Sequence, residues 1–99
     1  MKKSEIKSNT DLQEVLNQSN QEEVLLFKHS TRCGISKMAL RAFESEVGNR
    51  PYFYLDIISH RDLSNKIAEE FDVKHESPQL IYFKDGKVVK SQSHHKIGL

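Results

Sequence analysis

Between residues 24 and 58 the spacing of apolar residues changes from that of a buried strand to that of a helix and back, which leaves few folds open to the chain. Val24–Phe27 is a continuous apolar run between charged residues, which predicts a strand buried on both faces. From Gly34 the apolar side chains recur at helical spacing and predict a helix that ends at Gly48. Tyr52–Ile58 is dense in aromatic and β-branched residues and predicts a second strand, parallel to the first because a helix joins them. The residues predicted to share the buried face of that helix are Ile35, Met38, Ala39, Ala42, Phe43 and Val47.

Further elements are predicted on both sides of this βαβ unit. A capping box predicts a helix over 10–18, and another helix is predicted over 59–73. Leu80–Phe83 is predicted to form a third strand. Asp85-Gly86 is predicted to be a two-residue turn, after which the chain forms an antiparallel fourth strand. The order αβαβαββ predicts an α/β fold in which a four-stranded mixed sheet is flanked by helices.

The composition limits the class of protein. A chain of 99 residues has room for one domain, residues 1–99. The balance of 15 Lys+Arg against 14 Asp+Glu gives a net charge of +1, which argues against the concentrated basic surface of a nucleic-acid binder. No run approaches the ~18 apolar residues of a membrane span, and Met1–Ser8 lacks the apolar core of a secretory signal. We therefore expect a cytoplasmic protein without nucleic-acid or membrane partners.

Cys33 is the only cysteine, and its position favours a chemical role. It follows the first buried strand and lies at the first turn of the predicted helix, where unpaired amides and the helix dipole stabilise a thiolate. Arg32 acts in the same direction, and Ser36 is predicted to donate its hydroxyl to the thiolate. A buried, inert cysteine is the alternative, but the polar neighbours Thr31, Arg32 and Ser36 argue against it. A single thiol also forms no internal disulfide and builds no cysteine-based zinc site.

The order of the elements, with a cysteine after the first strand and a proline before the third, resembles the thioredoxin fold over residues 10–94. In proteins of that fold the corresponding proline is cis, and the residue before it offers its backbone to an incoming thiol compound. The resemblance therefore implies that Ser77 and Pro78 form the substrate-side wall opposite Cys33. The alternative is a proline that only protects the start of a strand.

Within that fold, the cysteine segment narrows the choice of family. The absence of a second cysteine excludes the dithiol thioredoxins and glutaredoxins. Cys33–Ser36 is similar to the Cys-Gly-Phe-Ser of monothiol glutaredoxins that hold iron–sulfur clusters, but their Thr-Val-Pro and Gly-Gly signatures are missing. Glutaredoxin-like arsenate reductases carry Cys-Gly-x-Ser before a basic residue, here Lys37, yet they place an arginine before the proline where this chain has Ser77.

The segment His29–Ala39 most resembles the monothiol bacilliredoxins, whose site reads Ser-x-x-Cys-x-Ile-Ser before an alanine-containing helix. Tyr54–Asp56, His75–Gln79 and Ser93–His95 resemble the same family at the expected places. Gly34 departs from the pattern, because the family usually has proline there. A C-terminal helix that covers one face of the sheet in that family is expected to be missing or very short, which would leave apolar surface exposed.

The resemblance implies a monothiol thiol–disulfide oxidoreductase that removes bacillithiol from protein mixed disulfides through Cys33. Its partners would be bacillithiolated proteins and bacillithiol, which acts as a co-substrate, so that no bound cofactor is expected. The residues implied to be catalytic are Cys33 and Ser36, and those implied to bind substrate are Thr31, Arg32, Gly34, Ser77 and Pro78.

Three cationic residues are candidates for binding the substrate. Bacillithiol carries a malate group with two carboxylates, for which Arg32, Lys37 and Lys74 are candidate partners. No metal site is predicted, since the adjacent His94 and His95 would point to opposite faces of a strand. The alternative function is a glutaredoxin-like monothiol module that carries an iron–sulfur cluster, or a redox sensor that accepts a thiol cap without turnover.

Overall fold

The computed structural model describes residues 3–99, except for the side chain of His95. Met1 and Lys2 lie outside the described residues. They are the first residues of the predicted domain and of Met1–Ser8, the segment considered as a secretory signal. The helices are α1 (Asn9–Ser19), α2 (Gly34–Val47) and α3 (Arg61–Glu70). The strands are β1 (Lys3–Glu5), β2 (Val24–His29), β3 (Tyr52–Asp56), β4 (Gln79–Lys84) and β5 (Lys87–Ser93).

The sheet has five strands in the order β1-β3-β2-β4-β5, one more than predicted. The additional strand, β1, is short and polar, so neither hydrophobic period nor β-propensity marks it, and backbone pairing with β3 holds it in place. The pairs β1·β3 and β2·β3 are parallel, whereas β2·β4 and β4·β5 are antiparallel. The predicted α/β fold with a mixed sheet is confirmed.

The turns explain where the last elements begin and end. Asp85 and Gly86 both have positive φ, 53° and 74°, as the predicted two-residue turn between β4 and β5 requires. Asp72, also with positive φ, follows α3, which therefore ends before the predicted limit of residue 73. Within the described residues, β5 is followed only by one 3₁₀ turn, His94–Lys96. No described helix combines the length and apolar character that a membrane crossing requires.

Two hydrophobic clusters cover the two faces of the sheet, as predicted for a central strand buried on both sides. In β2, Leu26 packs into one cluster, while Leu25 and Phe27 pack into the other. The first cluster joins the sheet to α1 and α3 through Ile6, Leu12, Val15, Val24, Leu26, Phe53, Leu55, Ile57, Leu63, Ile67, Ile81 and Phe83. The second joins it to α2 through Leu25, Phe27, Phe43, Val47, Tyr52, Tyr54, Leu80 and Tyr82.

The helix predicted from Gly34 is confirmed, but its buried face is narrower than expected. Phe43 and Val47 are buried, whereas Ile35 and Met38 are 68% and 71% exposed, and Ala42 is exposed as well. The helical period shows which side chains share a face and not what that face packs against. The unburied part of the face lines a groove with Ala39, His94 and Ile97.

Gly34 is a position where proline is expected to stabilise the fold. It is the first residue of α2, where the fixed φ of proline suits the helix and no helical hydrogen bond needs its amide. A Cβ built at Gly34 meets no heavy atom within 4 Å, and Cys33 has the extended backbone that a following proline requires. We expect Gly34→Pro to raise the free energy of unfolding by about 0.4–1 kcal/mol, measured as the urea midpoint at unchanged slope. A lower midpoint would contradict this expectation.

Candidate active site around Cys33

Cys33 is the N-cap residue of α2, one short loop after β2. Its carbonyl accepts the first helical hydrogen bond from the Lys37 amide at 3.0 Å, and its own amide donates to the Ser30 carbonyl at 3.2 Å. The amides of residues 34–36 therefore have no partner within the helix. Together with the positive end of the helix dipole they stabilise an anion at this end of α2. The thiol itself is free and partly exposed, and it makes no capping hydrogen bond.

Three strand ends meet beside this loop. β2 and β3 end side by side, with His29 opposite Asp56. β4 begins there in the opposite direction, with Gln79 opposite Lys28. The Ser77–Pro78 peptide bond, directly before β4, is cis, as the resemblance implied. The register thus brings the cysteine loop and the predicted proline wall to the same edge of the sheet.

The side chain of Ser36 lies differently from the prediction. It is fully buried, its Oγ lies 2.7 Å from His29 Nδ1, and the same oxygen accepts the Ser30 amide at 3.0 Å. No hydrogen bond joins Ser36 to Cys33, whose side chain caps nothing. The physical reason is that α2 packs on the sheet with this side inward, so that the hydroxyl reaches the end of β2. His29, which sequence analysis used only as part of a family motif, is thereby brought into the site.

The predicted substrate-binding residues of the cysteine loop are accessible. Thr31, Arg32 and Gly34 are exposed around the partly exposed thiol. Lys37 and Lys74, the other cations considered for the carboxylates, are exposed too. Neither these lysines nor Arg32 form an ion pair with any residue in the described part of the chain.

Contacts with the chain after β5 hold the proline wall, Ser77 and Pro78, in place. Pro78 is buried, and its carbonyl accepts the amide of His94 at 3.0 Å. The hydroxyl oxygen of Ser77 is buried, without a hydrogen-bond partner among the described groups. His94 also pairs with Glu76 at 3.4 Å. These contacts attach the loop before β4 to the chain that follows β5.

A second buried polar group, which sequence analysis did not identify, lies on the opposite face of β2. Lys28 is fully buried, and its Nζ lies 3.3 Å from His75 Nδ1, with Ser64 Oγ at 3.3 Å from the same nitrogen. Burial lowers the pKa of Lys28 to about 8. Burial also lowers the pKa of His75, and the charges of Lys28 and Arg61 act in the same direction. A neutral His75 therefore accepts a hydrogen bond from the Lys28 ammonium, which connects β2 to the loop before Pro78. The sequence feature that could have indicated this buried lysine is its position directly after the apolar run Val24–Phe27.

The described residues contain no group of three His, Cys, Asp or Glu side chains placed to share a metal ion. The pair considered from the sequence, His94 and His95, lies in the 3₁₀ turn and not on a strand as expected. The side chain of His95 is outside the described part of the chain.

Known proteins resemble this chain in sequence and in fold. The family described as monothiol bacilliredoxin BrxC matches residues 4–99. A candidate oxidoreductase with a thioredoxin fold is 33% identical, with a TM-score of 0.87 over 97% of this chain and 86% of that one. The thioredoxin of Fasciola hepatica is 18% identical, with a TM-score of 0.69 over 92% of this chain and 86% of its own. That of Schistosoma mansoni is 23% identical, with a TM-score of 0.71 over 94% and 83%. The two thioredoxins share the fold alone.

The buried ammonium of Lys28 should make stability depend on pH in the alkaline range. The pKa is 10.5 in the unfolded chain and about 8 in the folded one, so the unfolded chain binds more protons between these values. We expect the free energy of unfolding to rise by about 1–2 kcal/mol from about pH 7.5 to about 9.5. Above this range Tyr52 and Tyr54 act in the opposite direction, since burial raises their pKa values. Urea unfolding across the range measures the change.

Lys28→Met tests the cause of that slope. The methionine fills the same space without a charge, so the rise should disappear and the free energy of unfolding at pH 7 should increase. Lys87→Met, at an exposed lysine, serves as the control and should keep the slope. A native protein whose stability is constant between about pH 7.5 and about 9.5 would show that Lys28 is not the group that titrates.

Proposed function

Since residues 4–99 match the family, the chain belongs to the monothiol bacilliredoxins, and we propose that it removes bacillithiol from protein cysteines through Cys33. It is a thiol oxidoreductase of thioredoxin fold. The observation that supports the finer function is the position of the only thiol of the chain. Cys33 is partly exposed at the N-terminus of α2, free of a capping role, with no second cysteine to compete for it.

The first half of the proposed reaction is a thiol–disulfide exchange. The Cys33 thiolate attacks the bacillithiol sulfur of a protein mixed disulfide. A new S–S bond joins Cys33 to bacillithiol while the S–S bond of the substrate breaks. The repaired protein cysteine leaves as a thiolate and takes a proton from water. The amides at the start of α2 hold the negative charge on Cys33 before the attack.

The second half needs a thiol from outside the chain, because no other cysteine is present to form an internal disulfide. A second bacillithiol, as thiolate, attacks the bacillithiol sulfur of the Cys33 adduct. Bacillithiol disulfide forms, and Cys33 leaves as a thiolate again. Bacillithiol thus enters the first step as the group on the protein and the second step as the free co-substrate. Such an exchange belongs in a reducing compartment, so we place the protein in the cytoplasm.

Unpaired cations in the cysteine loop, in the first turns of α2 and before the proline loop support bacillithiol as the ligand. Arg32 adjoins Cys33, Lys37 lies one turn further along α2, and Lys74 precedes the proline loop. All three cations are exposed and have no ionic partner within residues 3–99. They are therefore available to the two carboxylates of the bacillithiol malate.

The two walls of the site take different parts of the substrate in this proposal. The backbone beside the cis bond, at Ser77 and Pro78, faces the same sheet edge as the cysteine loop and binds the thiol compound, together with Thr31 and Gly34. The protein half of the mixed disulfide lies along the exposed apolar groove that begins at Ile35, two residues after Cys33.

Exchange with bacillithiol disulfide tests the function directly. Reduced protein should gain the mass of one bacillithiol, clearly faster than the mass of one glutathione from glutathione disulfide, and free bacillithiol should reverse the adduct. Intact mass spectrometry measures both reactions, and Cys33→Ala should show neither. Reduced enzyme alone should then restore a bacillithiolated protein once per Cys33, and repeated turnover should need free bacillithiol as well. Absence of an adduct, or equal rates with both disulfides, would contradict the proposal.

The contribution of charge is tested by single substitutions of the free cations. Arg32→Ala, Lys37→Ala and Lys74→Ala should each reduce the preference for bacillithiol over glutathione by a factor of about 1.4 to 5, since exposed ion pairs are worth about 0.2–1 kcal/mol. Lys87→Ala, at the opposite end of β4 from the proline, should leave the preference unchanged. A brown protein after anaerobic reconstitution with iron and sulfide, without exchange, would favour the cluster-carrying alternative.

A further inference from the structure

Lys28 is a buried charge that the stability of the protein does not explain. Its side chain is fully buried and lies on the same face of β2 as Leu26, which packs toward α1 and α3. Removing an ammonium group from water costs free energy, and an apolar side chain of similar volume often makes a protein more stable. A costly group beside a reactive thiol therefore points to function, for which stability is commonly given up.

The ammonium group of Lys28 contacts the loop that precedes Pro78. Its Nζ lies 3.3 Å from Nδ1 of His75, and burial and neighbouring positive charge lower the pKa of that ring, which is therefore neutral. Because an ammonium group only donates, Nδ1 is the acceptor and the ring proton is on Nε2. Ser64 Oγ of α3 lies 3.3 Å from the same nitrogen. Residues of β2, α3 and the loop thus meet at one atom of His75.

Gln79 holds the residue next to His75 from the same face of the sheet. It lies directly opposite Lys28 in the antiparallel pair β2·β4, so the two side chains share a face. Its Nε2 donates to the carbonyl oxygen of Lys74 at 2.9 Å. The cross-strand pair therefore fixes two consecutive residues of the loop, His75 through its side chain and Lys74 through its backbone.

The end of the loop is held by the chain after β5. The amide of His94 donates to the carbonyl of Pro78 at 3.0 Å, and its imidazole pairs with Glu76 at 3.4 Å. Ser77 differs from these neighbours: within residues 3–99 its hydroxyl oxygen has no hydrogen-bond partner, and no turn or loop hydrogen bond involves its backbone. The loop thus presents Ser77, between anchored neighbours, at the sheet edge where Cys33 lies.

We propose that Lys28 is a positioning residue, whose hydrogen bond to His75 holds the loop so that the backbone of Ser77 meets the bacillithiol compound. This inference rests on the proposed function and deepens it, because it assigns the buried lysine to the substrate-side wall. The lysine acts through the wall and not through the thiol. A wall that is fixed before binding lowers the ordering cost that a loose loop would add each time the compound binds.

Two reactions of the thiol separate positioning from a general loss of structure. Lys28→Met should slow exchange with bacillithiol disulfide about tenfold, because the wall is no longer fixed. Alkylation of Cys33 by iodoacetamide needs no wall, so its rate should stay within about twofold of the native rate. The free energy of unfolding should rise at the same time. Intact mass spectrometry follows both reactions, and Lys87→Met, at an exposed lysine, should leave both rates unchanged.

Two results with Lys28→Met would overturn the inference. An unchanged exchange rate would show that the wall does not need the lysine. Equal losses in exchange and in alkylation would show that the lysine acts through its charge on the thiolate. By contrast, a variant that is more stable, equally reactive toward iodoacetamide and slower in exchange has lost only the position of the wall.

Substitutions of His75 separate the hydrogen bond from the charge. His75→Asn and His75→Leu both keep Lys28, but only asparagine offers an oxygen that accepts its proton. His75→Leu should slow exchange about tenfold, and His75→Asn should restore most of the native rate. Adding Lys28→Met to His75→Leu should slow exchange no further, since both substitutions remove the same hydrogen bond. Equal rates in the asparagine and leucine variants would contradict a role of this bond.

The motion of the loop tests the inference without any disulfide. Nitrogen relaxation of the backbone amides of residues 74–77 should give order parameters of about 0.85 in the native protein and clearly lower values in Lys28→Met. Equally rigid loops in the two proteins would refute the role of Lys28. If the native protein exchanges equally fast with bacillithiol and glutathione disulfides, or with neither, the proposed substrate is wrong, and the order parameters still decide whether Lys28 fixes the loop.

Discussion

The site depends on the burial of one strand, β2, on both faces of the sheet. Leu25 and Phe27 pack beneath α2, while Leu26 packs toward α1 and α3. β2 is also paired on both edges, with β3 on one side and β4 on the other. Because every face and edge of this strand is occupied, its end has a fixed position, and the loop that carries Cys33 starts from a rigid base.

The last two residues of β2, Lys28 and His29, connect this strand to the proline loop and to the start of α2. Successive side chains of a strand point to opposite faces, and both Lys28 and His29 are polar and buried. A buried polar group is stable only with a partner. Lys28 finds His75, three residues before the cis proline, and His29 finds Ser36, three residues after the cysteine. The end of β2 is thus hydrogen-bonded both to the loop before the cis proline and to the first turn of the helix after the cysteine.

Predictions for α2 and its surroundings succeeded where the pattern was local and failed where it was not. The start of the helix at Gly34 and the N-terminal position of Cys33 followed from spacing and were confirmed. The exposure of Ile35 and Met38 was missed, since a helical period contains no information about the neighbouring element. β1 was missed because only its backbone, paired with β3, makes it a strand.

Three properties of the protein could be predicted from its amino-acid sequence: the order of helices and strands from residue 9 onward, the chemistry available to a single thiol and the family to which the chain belongs. These properties follow from hydrophobic period, turn residues and a short motif, all of which are local in the chain. Which buried polar groups meet is set by the packing of helices on the sheet. Lys28 and His75, which form one such pair, are 47 residues apart. Ser36 contacts His29 and not Cys33, the partner that had been predicted, because packing of α2 on the sheet directs its side chain inward. Such partners depend on how the elements pack, which no local pattern specifies.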